Sequence, residues 1–169
     1  PPPDAEASLG LIMEIGANAV RLGHYPFSQY TLDRLDELGL IAWAEAPLGL
    51  GVHVDSCTEE DATQQYVANA QQQLMEMIRQ QYNHASVALW AVGNETSARQ
   101  LQCDEHIDNV TPVLRALHET AKAEDPTGLT AYAEFDENIG RPLPFATAGI
   151  TDVLGTNRYY WWYDLAVEE

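Results

Sequence analysis

Hydrophobic and polar positions along this chain switch repeatedly between a helical period and short apolar runs. Residues 4–15 carry Leu9, Ile12 and Met13 at helical spacing and stop at Gly16, a residue suited to closing a helix. Ala19-Val20-Arg21-Leu22 then reads as a strand. Ser28 is placed to cap a second helix with Leu32, Leu35 and Leu38 on its inner face, and Gly39 ends it. Leu40-Ile41-Ala42-Trp43-Ala44 is the next apolar run. A long helix follows, capped by Ser56 or Thr58 and striped with Val67, Ala70, Leu74, Met77 and Ile78. Val87 to Val92 is the third strand, and a helix from Pro112 to Ala123 buries Val113, Leu114, Leu117 and Ala121. Leu129 to Ala133 is the fourth strand, and Asp152 to Gly155 begins a fifth.

Strands that are apolar on both faces and alternate with helices form a parallel sheet under helical cover. An open doubly wound sheet and a closed eight-stranded barrel both meet that description. No G-x-G-x-x-G follows the first strand, which counts against a dinucleotide fold. The placement of polar residues favours the barrel. Arg21 and His24 follow the first strand, Glu45 the second, Asn94-Glu95 the third, Glu134 and Asp136 the fourth, and Asn157 with Tyr159 the fifth. Barrel enzymes assemble their sites from several strands at this C-terminal end.

A chain of 169 residues holds one domain with a real core. Its 26 Asp and Glu against 8 Lys and Arg give a formal charge of -18, which repels phosphate backbones and anionic lipids and leaves a neutral substrate unpenalised. The expected partners therefore include neither nucleic acid nor membrane. No apolar stretch is long enough for a membrane helix, and no basic-then-apolar start marks a signal peptide. Cys57 and Cys103 lie outside any C-x-x-C pair. They read as free thiols of a reducing compartment, the cytoplasm. The acidic run Glu59-Glu60-Asp61 suits a helix N-terminus better than a metal site.

Glu95 is the leading chemical candidate, because a desolvated carboxyl group at a barrel mouth favours its protonated form, as a general acid requires. Asn94 beside it can donate to a substrate hydroxyl. The competing reading makes the pair a helix cap, with Asn94 near the N-cap and Glu95 in the first turn. His24 and Arg21, each taken alone, read more readily as a loop residue and an ion-pair partner. The cluster Asn157-Arg158-Tyr159-Tyr160-Trp161-Trp162-Tyr163 offers flat faces and polar tips for stacking on sugar rings, or a patch packed beneath a helix.

Five blocks, GANAVRLGHYP (16–26), LDELGLIAWAEAP (35–47), YNHASVALWAVGNE (82–95), EDPTGLTAYA (124–133) and DVLGTNRYYWWY (152–163), resemble the central barrel domain of glycoside hydrolase family 2. The likeness runs in order along nearly the whole chain. It implies an α/β fold, an incomplete (β/α)8 TIM barrel from about barrel helix 1 to strand 6, with residues 1–169 as part of the catalytic domain of a larger enzyme. It also implies a retaining exo-glycosidase, in which two carboxyl groups about 5–5.5 Å apart act as acid/base and nucleophile.

Carried over by motif, Glu95 becomes the acid/base and Asn94 the ligand of the sugar 2-hydroxyl. His24 becomes a contact to substrate hydroxyls and Arg21 the residue orienting the second carboxylate. Tyr159 becomes a hydrogen-bond donor near the nucleophile and Asn157 a subsite wall. Trp161 stands where the family usually has glycine and would narrow the subsite; Ala85 stands where proline is usual. The family's nucleophile belongs to an E-Y-G-like block that does not occur here, so this chain alone is expected to be inactive. Leu48-Gly49-Leu50-Gly51 offers neither the Glu nor the His of the magnesium-dependent members, so no metal and no other cofactor is expected.

A β-galactosidase is the first choice of activity, a β-glucuronidase the second, and a non-catalytic carbohydrate-binding domain the rival outside catalysis. The residues that recognise a uronic carboxylate fall in blocks this sequence lacks. The incomplete barrel, with two open sheet edges, is expected to self-associate, and its parent to be a homo-oligomer. The partner that matters is a small carbohydrate.

Overall fold

Two glycines and a serine set the first helices. In the computed structural model, which describes residues 3–48, 60–96, 107–135 and 147–158, α1 spans Pro3–Glu14 and α2 spans Gln29–Leu38. Gly16 closes the first with φ 76°, and its successor Ala17 donates back to Ile12 O at 3.2 Å. Ser28 Oγ accepts from Thr31 N at 3.3 Å to cap α2, and Gly39 ends it at φ 68°. The remaining elements are β1 (Ala19–Leu22), β2 (Ile41–Glu45), α3 (Glu60–Gln81), β3 (Val87–Asn94), α4 (Ile107–Glu124), β4 (Leu129–Phe135) and β5 (Val153–Asn157). The Ser56 and Thr58 caps and both cysteines lie outside the described residues.

The strands form one parallel sheet in the order β1-β2-β3-β4-β5. Sequential parallel neighbours joined by helices make one side of a (β/α)8 barrel, as expected. Two apolar clusters cover its convex face. Leu9, Leu32, Leu35 and Leu40 join α1 and α2 to Leu22 and Ala42. Ala70, Leu74, Met77, Ile78, Leu114 and Leu117 join α3 and α4 to Ala44, Trp90, Val92 and Tyr132. The helical stripes read from the sequence for α2, α3 and α4 are thus the inner faces, whereas in α1 Leu9 and Ile12 pack inward and Met13 is exposed.

Register decides what faces the concave side. Arg21 pairs with Trp43, Trp43 with Leu89, Ala131 with Val153, Ala133 with Gly155, and Phe135 with Asn157. Trp43 reaches across this side, and a Cβ on Gly155 would lie 3.1 Å from its Cη2. Strict alternation from Ala91 would send Asn94 outward to the helices. Between the pairs Ala91–Ala131 and Asn94–Ala133, however, β3 carries one residue more than β4. This bulge turns Asn94 to the concave side. Gly93 sits within it, where a Cβ would be 3.3 Å from Leu48 O.

Two expectations need correction. α4 begins at Ile107 rather than Pro112, so Pro112 lies inside the helix and forgoes one backbone bond near its start. β2 to β5 run one or two residues past their apolar cores, because backbone pairing continues where the side chains turn polar.

Candidate active site

Arg21 ties the strand ends together. It sits at a concave position of β1, its guanidinium 5.5 Å from the Trp43 ring centroid. Nε donates to Glu45 Oε2 at 2.8 Å, Nη1 to Asn157 Oδ1 at 2.8 Å, and Nη2 to Asn94 Oδ1 at 2.5 Å and Glu45 Oε1 at 3.4 Å. One planar cation thus binds groups from β2, β3 and β5, a geometry available to Arg and not to Lys.

Asn157 continues the network. Its Nδ2 donates to Asn94 Oδ1 at 2.8 Å and to Glu95 Oε1 at 2.6 Å. Asn94 Oδ1 therefore takes two donors, which fixes its amide orientation and directs Nδ2 away as a donor. No acceptor among the described residues meets that Nδ2.

Glu95 is 3 % exposed and holds φ 51°, a left-handed conformation that costs a side-chain-bearing residue ~1 kcal/mol or more. Its N–H donates to Ala133 O at 2.8 Å, and Asn94 N donates to Leu48 O at 2.9 Å. The helix-cap reading of this pair is therefore overturned. Asn94 is the last residue of β3, and a residue at φ 51° is not in the first turn of a right-handed helix.

His24 follows β1 after a cis peptide bond, with Nδ1 2.6 Å from Glu45 Oε1. Glu45, fully buried at the end of β2, was legible only as a polar strand ending and had no assigned role. An isolated carboxylate there would pay several kcal/mol in desolvation, which the Arg21 pair and His24 offset. The carboxylate that Arg21 holds among the described residues is this one. Sequence reasoning missed it because its partner lies 24 residues away and is brought within reach only by the pairing of β1 with β2.

Arg21, His24, Asn94, Glu95 and Asn157 thus converge at one end of the sheet; Tyr159, Trp161 and Asp136 lie outside the described residues. Glu134 does not join them. It alternates with the concave residues of β4, accepting from Thr147 Oγ1 at 2.6 Å and Phe135 N at 3.1 Å. Of the Leu48–Gly51 stretch only Leu48 is described. Among the described residues, metal-ligand types gather at Asp33, Asp36 and His84, toward the opposite end of the strands. There His84 Nδ1 lies 2.8 Å from Asp36 Oδ2, and Asp36 Oδ1 accepts from Ser86 N at 2.7 Å. These contacts strap the loop before β3 to α2.

The arrangement pairs a buried, oriented carboxyl group with an amide donor at the C-terminal end of parallel strands, a combination suited to protonating a leaving group beside a bound hydroxyl. The family model for the TIM barrel domain of the family 2 glycosyl hydrolases matches residues 3–168. A β-glucuronidase of Bacteroides fragilis is 37% identical over 163 residues, covering 96% of this chain and 21% of its own length. A crystal structure from Bacteroides fragilis, of a protein provisionally named a β-galactosidase, is 34% identical with TM-score 0.75, covering 95% of this chain and 21% of that one. Bacteroides uniformis β-glucuronidase 2, solved covalently bound to cyclophellitol-6-carboxylate aziridine, is 30% identical with TM-score 0.74, covering 92% and 18%. The chain spans about a fifth of the length of these relatives. With the family model matched almost end to end, this chain belongs to glycosyl hydrolase family 2 and forms part of its TIM barrel domain.

Proposed function

We propose that this chain supplies the acid/base half of the active site of a retaining exo-β-glycosidase acting on terminal β-glucuronides. The observation that carries the glycosidase reading is the convergence of Glu95 and Asn94 under the donors of Asn157 and Arg21. In the first step Glu95 gives its proton to the glycosidic oxygen while a carboxylate elsewhere in the protein attacks the anomeric carbon. In the second, Glu95 takes a proton from the water that releases the sugar. Asn94 Nδ2, directed away from its two donors, binds the 2-hydroxyl, a contact that strengthens as the oxocarbenium-like transition state forms.

The sugar assignment rests on the relatives. From the sequence, galactoside is the first choice and glucuronide the second, and the charge of -18 leaves a neutral sugar unpenalised. Several of the curated relatives it matches are named β-glucuronidases, and one solved relative is covalently bound to a 6-carboxylate inhibitor. Net surface charge does not describe a pocket, so it yields to these. The structure provisionally named a β-galactosidase, at 34% identity, supports the second reading.

The test is hydrolysis of nitrophenyl β-glucuronide and β-galactoside by the full-length protein. A kcat/KM about 10²-fold or more higher for the glucuronide is expected, the size of preference a charged group gains from a site built for it. The reverse preference establishes the galactosidase. Cleavage of neither removes the glycosidase reading.

A further inference from the structure

We infer that Glu45 is a positioning residue that fixes the hydrogen of His24 on Nδ1, so that His24 meets the substrate through Nε2 as a hydrogen-bond acceptor. The inference rests on the glycosidase reading above and goes beyond it by assigning the chemical sense of one contact.

Both carboxylate oxygens of Glu45 are engaged. Oε2 accepts from Arg21 Nε at 2.8 Å, and Oε1 accepts from Arg21 Nη2 at 3.4 Å while lying 2.6 Å from His24 Nδ1. Arg21 is always a cation, and a carboxylate paired with it accepts and does not donate. The hydrogen shared with His24 therefore belongs to Nδ1. In a neutral imidazole the other nitrogen, Nε2, is then an acceptor. Burial of the two partners matches this division. Glu45 has no exposed side-chain surface, whereas the His24 side chain is 53% exposed. No hydrogen bond among the described residues engages Nε2. The group that fits it is a sugar hydroxyl giving its hydrogen.

Glu45 also holds Arg21, which orients Asn94, so the same carboxylate aligns two substrate contacts from beneath. A glutamine at this position would keep the shape and lose the function. Its NH₂ would face either Arg21, donor against donor, or His24 Nδ1, driving the ring hydrogen to Nε2 and reversing the contact.

The experiment uses the full-length protein and competitive inhibition by the monosaccharide product and its mono-deoxy and mono-fluoro analogues. The hydroxyl at issue is the one whose removal costs wild type and spares His24→Ala. At that position a fluorine accepts and cannot donate. In wild type the fluoro and deoxy analogues are expected to bind equally weakly, each about 10- to 100-fold below the parent. Glu45→Gln is expected to lower kcat/KM about 10- to 100-fold and to let the fluoro analogue bind better than the deoxy. Its effect should shrink in the His24→Ala background.

A wild-type enzyme that binds the fluoro analogue nearly as well as the parent overturns the inference, and that measurement needs no variant to fold. Additive effects of Glu45→Gln and His24→Ala overturn it as well. A full-length protein that cleaves no glycoside overturns the reading beneath it, whereas an active enzyme with either adverse result overturns this inference alone.

Discussion

Asn157 donates through Nδ2 to Glu95 Oε1 at 2.6 Å, so the end of β5 aims the carboxyl group at the end of β3. The same nitrogen reaches Asn94 Oδ1 at 2.8 Å, while Arg21 holds Asn157 Oδ1. The donors of Asn157 thus serve the protein. Asn157→Leu, similar in size and without donors, is expected to lower kcat of the full-length enzyme about 10- to 100-fold with a smaller change in KM. A normal kcat with raised KM would assign Asn157 to ground-state binding instead.

Gly155 makes room for the indole of Trp43, with its virtual Cβ 3.1 Å from Cη2. Overpacking by Gly155→Val is expected to destabilise by about 1–3 kcal/mol. Trp43→Phe in the same chain should return part of that loss, read as a double-mutant cycle in thermal unfolding. Strictly additive effects would show that the two positions do not share the concave space.

The Lys122 ammonium 2.7 Å from Asp152, with help from the Thr130 N–H and hydroxyl, holds the Asp152 carboxyl down at about 2. A folded value below the unfolded one, about 3.9, means stabilisation present above pH 4 and lost as pH falls through 2. The gap in urea midpoint between wild type and Asp152→Asn should therefore be widest near neutrality and close as the pH approaches 2. A gap that does not vary with pH would contradict the pairing.

Much of this was legible in the sequence because local chemistry carried it. Gly16, Ser28 and Gly39 announced the ends of α1 and α2, and the stripe from Val67 to Ile78 announced the inner face of α3. Pro112 misled, since proline suits a first helical turn and gives no sign when it lies further in. The bulge before Asn94 was invisible, because it exists only in the pairing of β3 with β4. Glu45 went unassigned for the same reason, its partner Arg21 being set by the register of β1 on β2. The choice between galactoside and glucuronide depends on the few side chains around two sugar carbons, C4 and C6, to which composition is blind.

Among the described residues β1 and β5 each pair on one side only. The 169-residue chain expressed alone is therefore expected to sediment as dimers and larger species and to leave nitrophenyl glycosides uncleaved. A monodisperse monomer would show these edges to be covered within the chain. Turnover abolished by Glu95→Gln would place a second catalytic carboxylate among these residues.

If Glu95 is the proton donor and acceptor of a retaining glycosidase, the cost of removing it depends on the leaving group. In the full-length protein, Glu95→Gln should slow hydrolysis of glycosides with poor, alkyl leaving groups by about 10²- to 10⁴-fold, the usual contribution of general acid catalysis. Formation of the glycosyl-enzyme from a dinitrophenyl glycoside should be nearly unchanged, because that leaving group departs without a proton. Equal losses for both classes of substrate would contradict the assignment of Glu95 as the acid.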